Sequence, residues 1–168
     1  MKKLLTLIIA TLFLGNMVVN AQLEKYQKIF ILNFIRYIEW PGLENQLSFK
    51  IGILSENHPL TDELKAAVKD SKVAGKPIEI VEFKSTDDLT ACHILFVPNS
   101  RLSQLRKAAK ILAGVSVLII TESNDFTPSD AVINILVENQ KMTYTVNEEK
   151  ARERQLNFSS RLLEKAKK

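Results

Sequence analysis

The chain contains a single cysteine, Cys92, so no intrachain disulfide can form. That excludes a fold stapled by disulfides, and the core must come from apolar packing. The five glycines stand apart from one another, so there is no Gly-rich phosphate loop and no nucleophile elbow. Histidine is as scarce. His58 lies in Ser55-Glu56-Asn57-His58-Pro59, and His93 follows Cys92 in the apolar run Ala91 to Val97. Neighbours on a strand point to opposite faces, so Cys92 and His93 cannot grip one metal ion together. No metal and no cofactor is therefore expected. The acidic pairs Asp87-Asp88 and Asp125 with Asp130 read as caps and turns, not as acid/base catalysts. Charge of one sign is also lacking. With 23 basic and 19 acidic residues, net +4, the charges are mixed and form no basic stripe, which argues against a nucleic-acid partner. These gaps together predict a binding protein, not an enzyme.

The amino terminus is more informative. Met1-Lys2-Lys3 is a basic start, followed by an apolar run from Leu4 to Val19 and the small-residue end Val19-Asn20-Ala21. That order is the layout of a secretory signal peptide cleaved after Ala21. The run is shorter than the roughly 18–20 residues that span a bilayer comfortably, although an uncleaved anchor is the alternative. Residues 22–168 then form one exported domain, expected in the periplasm, with no membrane insertion after cleavage. No cysteine follows the cleavage site to carry a lipid. Cys92 is either buried and inert or free to pair with another molecule. Its place in a core-like strand favours burial.

Helical and strand patterns alternate along the rest of the chain. Residues 23–39 read as a helix stopped by Trp40-Pro41-Gly42. Strands are predicted at 47–54, 78–83, 94–97, 115–120, 131–137 and 141–146. Helices are predicted at 59–69, with Pro59 in its first turn, and at 101–113, closed by Gly114. A helical turn follows Ser85, a polar loop covers 121–130, and Asn147 caps a last helix over 148–166. Strands separated by helices imply parallel pairing and right-handed crossovers. The expected fold is a three-layer α/β domain with a mostly parallel sheet of about six strands, an antiparallel edge hairpin and helices on both faces.

Two candidate sites follow. On the first helix, Leu23, Tyr26, Phe30, Phe34, Tyr37 and Ile38 share a face and are read as the core stripe. Leu32 and Ile35 then fall on the far side beside Arg36. Burying either one fully would contribute roughly 1.5–3 kcal/mol, so a partner or homodimer face over Leu32, Ile35, Arg36 and Trp40 is one reading. Scattered surface apolar residues are the other. Trp40 fits both a core plug and an interface anchor. The second candidate comes from topology, because ligands in open α/β sheets sit beyond the carboxyl ends of the strands. There the chain places the polar residues Asn57, Asn99, Ser100, Thr121, Ser123 and Asn124. Ordinary solvated loops have the same composition.

Certain segments resemble a known family. They are Phe34-Ile35-Arg36-Tyr37-Ile38-Glu39-Trp40-Pro41, Phe49-Lys50-Ile51-Gly52-Ile53-Leu54 and Gly75-Lys76-Pro77-Ile78, followed by Cys92-His93-Ile94-Leu95-Phe96-Val97-Pro98. Ile119-Ile120-Thr121-Glu122, Val132-Ile133-Asn134 and Phe158-Ser159-Ser160-Arg161-Leu162-Leu163 complete the set. In that order they resemble the YfiR-like periplasmic proteins. The resemblance implies an α/β regulator, often dimeric, that binds the periplasmic sensor part of a membrane signalling protein. In the type system it represses a diguanylate cyclase and so lowers cyclic di-GMP. The chain departs from the family pattern at Ser129-Asp130-Ala131, where Gly-Gly is frequent, and at Cys92, which lacks the usual disulfide partner.

Overall fold

A computed structural model describes residues 23–138 and 141–167. The expected leader, residues 1–21, lies outside the described residues. Helix α1 covers residues 23–37 and runs straight into strand β1, Ile38–Glu39. Trp40 and Pro41 follow, and Gly42 takes φ 74, a left-handed turn open to glycine. Next come β2 (Phe49–Ile53), α2 (Pro59–Val68), β3 (Lys72–Val73) and β4 (Lys76–Glu82). A 3-10 turn at Thr86–Asp88 precedes β5 (Ile94–Val97), and a second at Asn99–Gln104 leads into α3 (Leu105–Ile111). The chain continues through β6 (Leu118–Glu122), β7 (Ile133–Glu138), β8 (Lys141–Val146), α4 (Glu148–Glu153), β9 (Asn157–Phe158) and α5 (Ser160–Lys165).

The main sheet runs β3-β4-β2-β5-β6-β7-β8. Its five inner strands, β4-β2-β5-β6-β7, are parallel, and an antiparallel partner closes each edge. Numbered in chain order, the parallel strands stand 2-1-3-4-5, a doubly wound arrangement that reverses direction between β2 and β5. The β2-α2-β4 crossover goes one way and β5-α3-β6 the other, so right-handed connections put α2 and α3 on opposite faces. Lys28 of α1 meets Glu63 of α2 at 2.5 Å, which places α1 on the α2 face. Arg154, just after α4, donates to the carbonyls of Leu112 at 2.9 Å and Ala109 at 3.2 Å and so closes the end of α3. Phe49, Ile51, Ile53, Ile94, Leu95, Phe96 and Ile119 are fully buried between the layers.

The fold class is as the sequence predicts, with three corrections. The sheet has a seventh strand, because β3 pairs with β4 through Val73↔Lys76 across Ala74-Gly75. Both of those residues have positive φ, 48 and 80, which is what a two-residue hairpin demands. The expected last helix is broken. Gln155 swings to φ 57, Asn157 and Phe158 pair with Glu39 and Ile38, and a separate α5 restarts beyond Ser159. One continuous helix would set Leu156 and Leu162 about 120° apart around its axis, whereas the break turns both into the core. Finally, β6 extends through Glu122, so Thr121 belongs to the sheet and not to a loop.

Candidate functional site

The buried stripe of α1 is Glu24, Gln27, Ile31, Phe34 and Ile38, at the three- and four-residue spacing of one helical face. The helix is therefore rotated from the aromatic stripe expected. Phe34 and Ile38 are buried as predicted, but Tyr26 is exposed and Phe30 and Tyr37 are half-buried. Aliphatic Ile31 and the T-shaped contact of Phe34 with Tyr144, 5.1 Å between rings, set the orientation. The rotation carries two polar side chains, Glu24 and Gln27, onto the carboxyl ends of the strands.

A compact polar cluster lies there. Gln27 donates through Nε2 to Oε2 of Glu122, the last residue of β6. The backbone N–H of Asn99, after β5, donates to the other carboxylate oxygen at 3.1 Å. Burial pushes the Glu122 carboxyl above its ordinary value. The Asn99 and Gln27 donors pull it back, and the nearby Glu24 charge pushes it further up. His58, which follows β2, caps α2 by accepting from Leu60 N at 3.2 Å. Its backbone N–H and the Thr61 hydroxyl both donate to Glu82 Oε1, at 2.9 and 2.5 Å. Burial lowers the His58 pKa, against the raising influence of Glu24 and Glu82. Glu24 thus sits within electrostatic reach of both His58 and Glu122, across the point where the strand order reverses.

Three oxygens of this region have no partner. Glu24 Oε2, Gln27 Oε1 and Ser123 Oγ are buried and unbonded, on residues that are 8%, 1% and 5% exposed. Gln27 and Ser123 line a cavity of about 200 Å³ together with Asn99, Glu122 and Asn124, and its other wall includes Ile135, Val137 and Met142. Among the described residues no group of three or more His, Cys, Asp and Glu is placed to hold a metal ion.

Three of the six loop residues singled out from the sequence, Asn99, Ser123 and Asn124, converge on this cavity. Asn124 also accepts from Val137 N at 2.7 Å, which fixes the rim. Asn57 and Ser100 are exposed and do not line it. Thr121 is fully buried on the opposite face, where its hydroxyl donates to Asn134 Oδ1 at 2.9 Å. Its role is structural, because a β6 side chain one residue before Glu122 must face the other way. Sequence reasoning missed Glu24, Gln27 and Glu122. The readable signal was the continuity of 24, 27, 31, 34 and 38 as one stripe headed by two polar residues.

The proposed partner face also shifts. Trp40 is buried, packs on Phe49 at 4.9 Å between rings and donates through Nε1 to the His93 carbonyl at 3.0 Å. It is a core plug and presents nothing to a partner. Ile35 packs against the core, Leu32 is half-buried and Arg36 is exposed. The apolar residues that α1 turns outward are instead Tyr26 and Ile29, which are 46% and 50% exposed. Lys25, Asn33 and Arg36 are exposed around them. Cys92 is buried beside Gly52, and its thiol is pushed up to about 12 by burial. His93 faces the other way and stacks on Phe49 at 4.6 Å.

A family model described as YfiR/HmsC-like matches residues 24–167. No curated protein matches the chain. The chain belongs to the YfiR/HmsC-like family.

Proposed function

We propose that this member of the YfiR/HmsC-like family is exported and regulates by docking on the periplasmic sensor domain of a membrane signalling protein. By the family resemblance, that protein is a diguanylate cyclase held in check by the contact. The observation that carries the reading is the outer face of α1. Tyr26 and Ile29 form an exposed apolar centre inside a rim of Lys25, Asn33 and Arg36, and apolar centre with polar rim is the anatomy of an interface. The chain acts in this reading as a binding protein without turnover, and its working form is a homodimer or a complex with that partner. No helix among the described residues is long and apolar enough to cross a membrane.

In-cell crosslinking of the tagged chain, followed by mass spectrometry, tests it. A membrane receptor, cyclase or kinase with a periplasmic domain should be recovered, and Ile29→Asp should abolish that link. Recovery of nothing but copies of the chain would sink the docking reading. Turnover that disappears in a His58→Gln variant would overturn the non-enzymatic part.

A second reading, a small-ligand binder, is favoured by the cavity of about 200 Å³ at the carboxyl ends of the strands, which polar Asn99, Glu122 and Asn124 line together with apolar Ile135, Val137 and Met142.

A further inference from the structure

We propose that the cleft between α1 and α5 binds a small aromatic acid, a ring that carries one anionic group. This site goes beyond the docking reading and shares no residue with the cavity at the strand ends. The cleft has a volume of about 160 Å³. Buried Phe34, Leu162 and Tyr144 form its floor, and half-buried Phe30 and Tyr37 also line it. The Tyr144 hydroxyl donates to the Leu162 carbonyl at 2.6 Å, so this tyrosine brings a ring to the cleft and no free donor. The rings of Phe30, Phe34 and Tyr144 pack tilted or edge to face, with centroids 5.1, 5.5 and 5.9 Å apart. Aromatic surface of this kind receives a further ring, and a cavity of about 150 Å³ is enough to hold benzene.

The rim of the cleft is cationic. Arg161 and Lys165 line it from α5, one helical turn apart, and both are exposed. The Arg161 guanidinium carbon is 5.4 Å from the centre of the Tyr37 ring, which sets its charge against the aromatic wall. Among the described residues neither cation has an ion pair or a hydrogen bond. No acidic residue lines the cleft, and like charges four residues apart on a helix repel each other. An anion between them removes that repulsion. The planar fork of Arg161 suits a carboxylate held by two parallel hydrogen bonds, with Lys165 as a second positive charge and the Asn33 amide as a neutral donor. A cationic ligand meets two like charges, and an uncharged ring leaves the guanidinium unused. The approach of α5 to α1 is fixed by the pairing of β1 with β9 and by Ser159 N, which donates to the Tyr37 carbonyl at 3.0 Å. Asn33 also belongs to the rim of the docking face, so a bound acid lies beside that face.

The test uses the purified chain with hydrocinnamate as the probe, in thermal-shift and calorimetric titrations at pH 7. Phenylpropylamine, phenylpropanol and propionate are the controls, which reverse the charge, remove it or remove the ring. Hydrocinnamate should raise Tm saturably and the three controls should not. Arg161→Gln should weaken its binding by at least about tenfold and Lys165→Gln by about threefold, with circular dichroism unchanged. Both side chains are exposed, and Lys165→Gln, which leaves the Tyr37 contact alone, serves if Arg161→Gln disturbs the fold. Equal shifts from the amine or the alcohol, or hydrocinnamate binding that survives both substitutions, would overturn the assignment. So would the absence of any shift with hydrocinnamate up to about 10 mM, which would leave Arg161 and Lys165 as solvated surface charges.

Discussion

The two ends of the parallel sheet are built on opposite rules. At the amino end the polar groups around His93 are matched, although the nearby Ser159 hydroxyl is not. The His93 carbonyl accepts from both Trp40 Nε1 and Leu118 N, at 3.0 and 2.8 Å, and Nδ1 of His93 accepts from Lys50 N at 3.0 Å. Phe49 lies between the Trp40 and His93 rings. At the carboxyl end, carboxyl groups crowd together and three oxygens go without partners. The contrast separates a matched network, which rigidifies, from buried unmatched groups, which carry a desolvation cost.

Substitutions can break this contrast if it is wrong. Trp40→Ala should have the largest effect, destabilising by about 3–5 kcal/mol in urea unfolding followed by circular dichroism. It removes a buried ring and leaves half of the His93 carbonyl's partners missing. Gly52→Ala comes next. An added Cβ would stand 2.5 Å from a Phe83 ring carbon and 3.4 Å from Cys92 Sγ, both buried, so a loss of about 1–3 kcal/mol is expected.

Acid should act on the amino end as well. Burial lowers the pKa of His93 from its ordinary 6.5, with Lys50 adding to the effect. A depressed pKa gives stability that is present above 6.5 and lost as pH falls through the folded value. The mechanism is local, since a protonated Nδ1 can no longer accept from Lys50 N. Asn keeps an acceptor and does not titrate, so His93→Asn should flatten the fall in Tm between about pH 7 and pH 5, leaving the similar contribution of His58.

The carboxyl end should respond weakly in stability. Glu122 has a raised folded pKa, so its favourable contribution is complete below its ordinary 4.5 and is lost as pH rises through the folded value. Glu122→Gln should therefore change stability at pH 7 by no more than about 1 kcal/mol, in the stabilising direction if Gln27 can turn to meet it. A loss comparable with that of Trp40→Ala would erase the distinction between the two ends. Smallest of all, Ile29→Asp should leave unfolding within about 0.5 kcal/mol while it abolishes partner capture.

Much of the fold was legible because its signals are local. The apolar runs of β5 and β6, the turn glycine at Gly114 and the cap at Asn147 each declare themselves within a few residues. Burial of Cys92 followed from the apolar strand-like segment around it. Three features were not local. Two-residue strands such as β3 and β9 carry no periodicity of their own and exist only through their partners. The rotation of α1 was misjudged because aromatic residues were weighted over aliphatic ones, whereas Tyr26 is 46% exposed and Ile31 is fully buried. The candidate site was half legible. Topology pointed to the end of the sheet where the cavity lies and to three of the residues that line it. The polar head of the α1 stripe could not be assigned until Gln27 was seen against Glu122.

The short pairing of β1 with β9 has a kinetic meaning. Ile38 meets Phe158, and Ser159 N donates to the Tyr37 carbonyl at 3.0 Å, so the first helix is latched by nearly the last segment of the chain. Closing a loop of that length is slow, and its entropy must be met before the contact gives anything back. The latch adds to the contacts that Lys28, Gln27 and Phe34 make with Glu63, Glu122 and Tyr144, so α1 is pinned at both of its ends. The cavity's wall runs from Leu23 to Met142, so the latch fixes the far end of the helix that roofs it without supplying any of the wall.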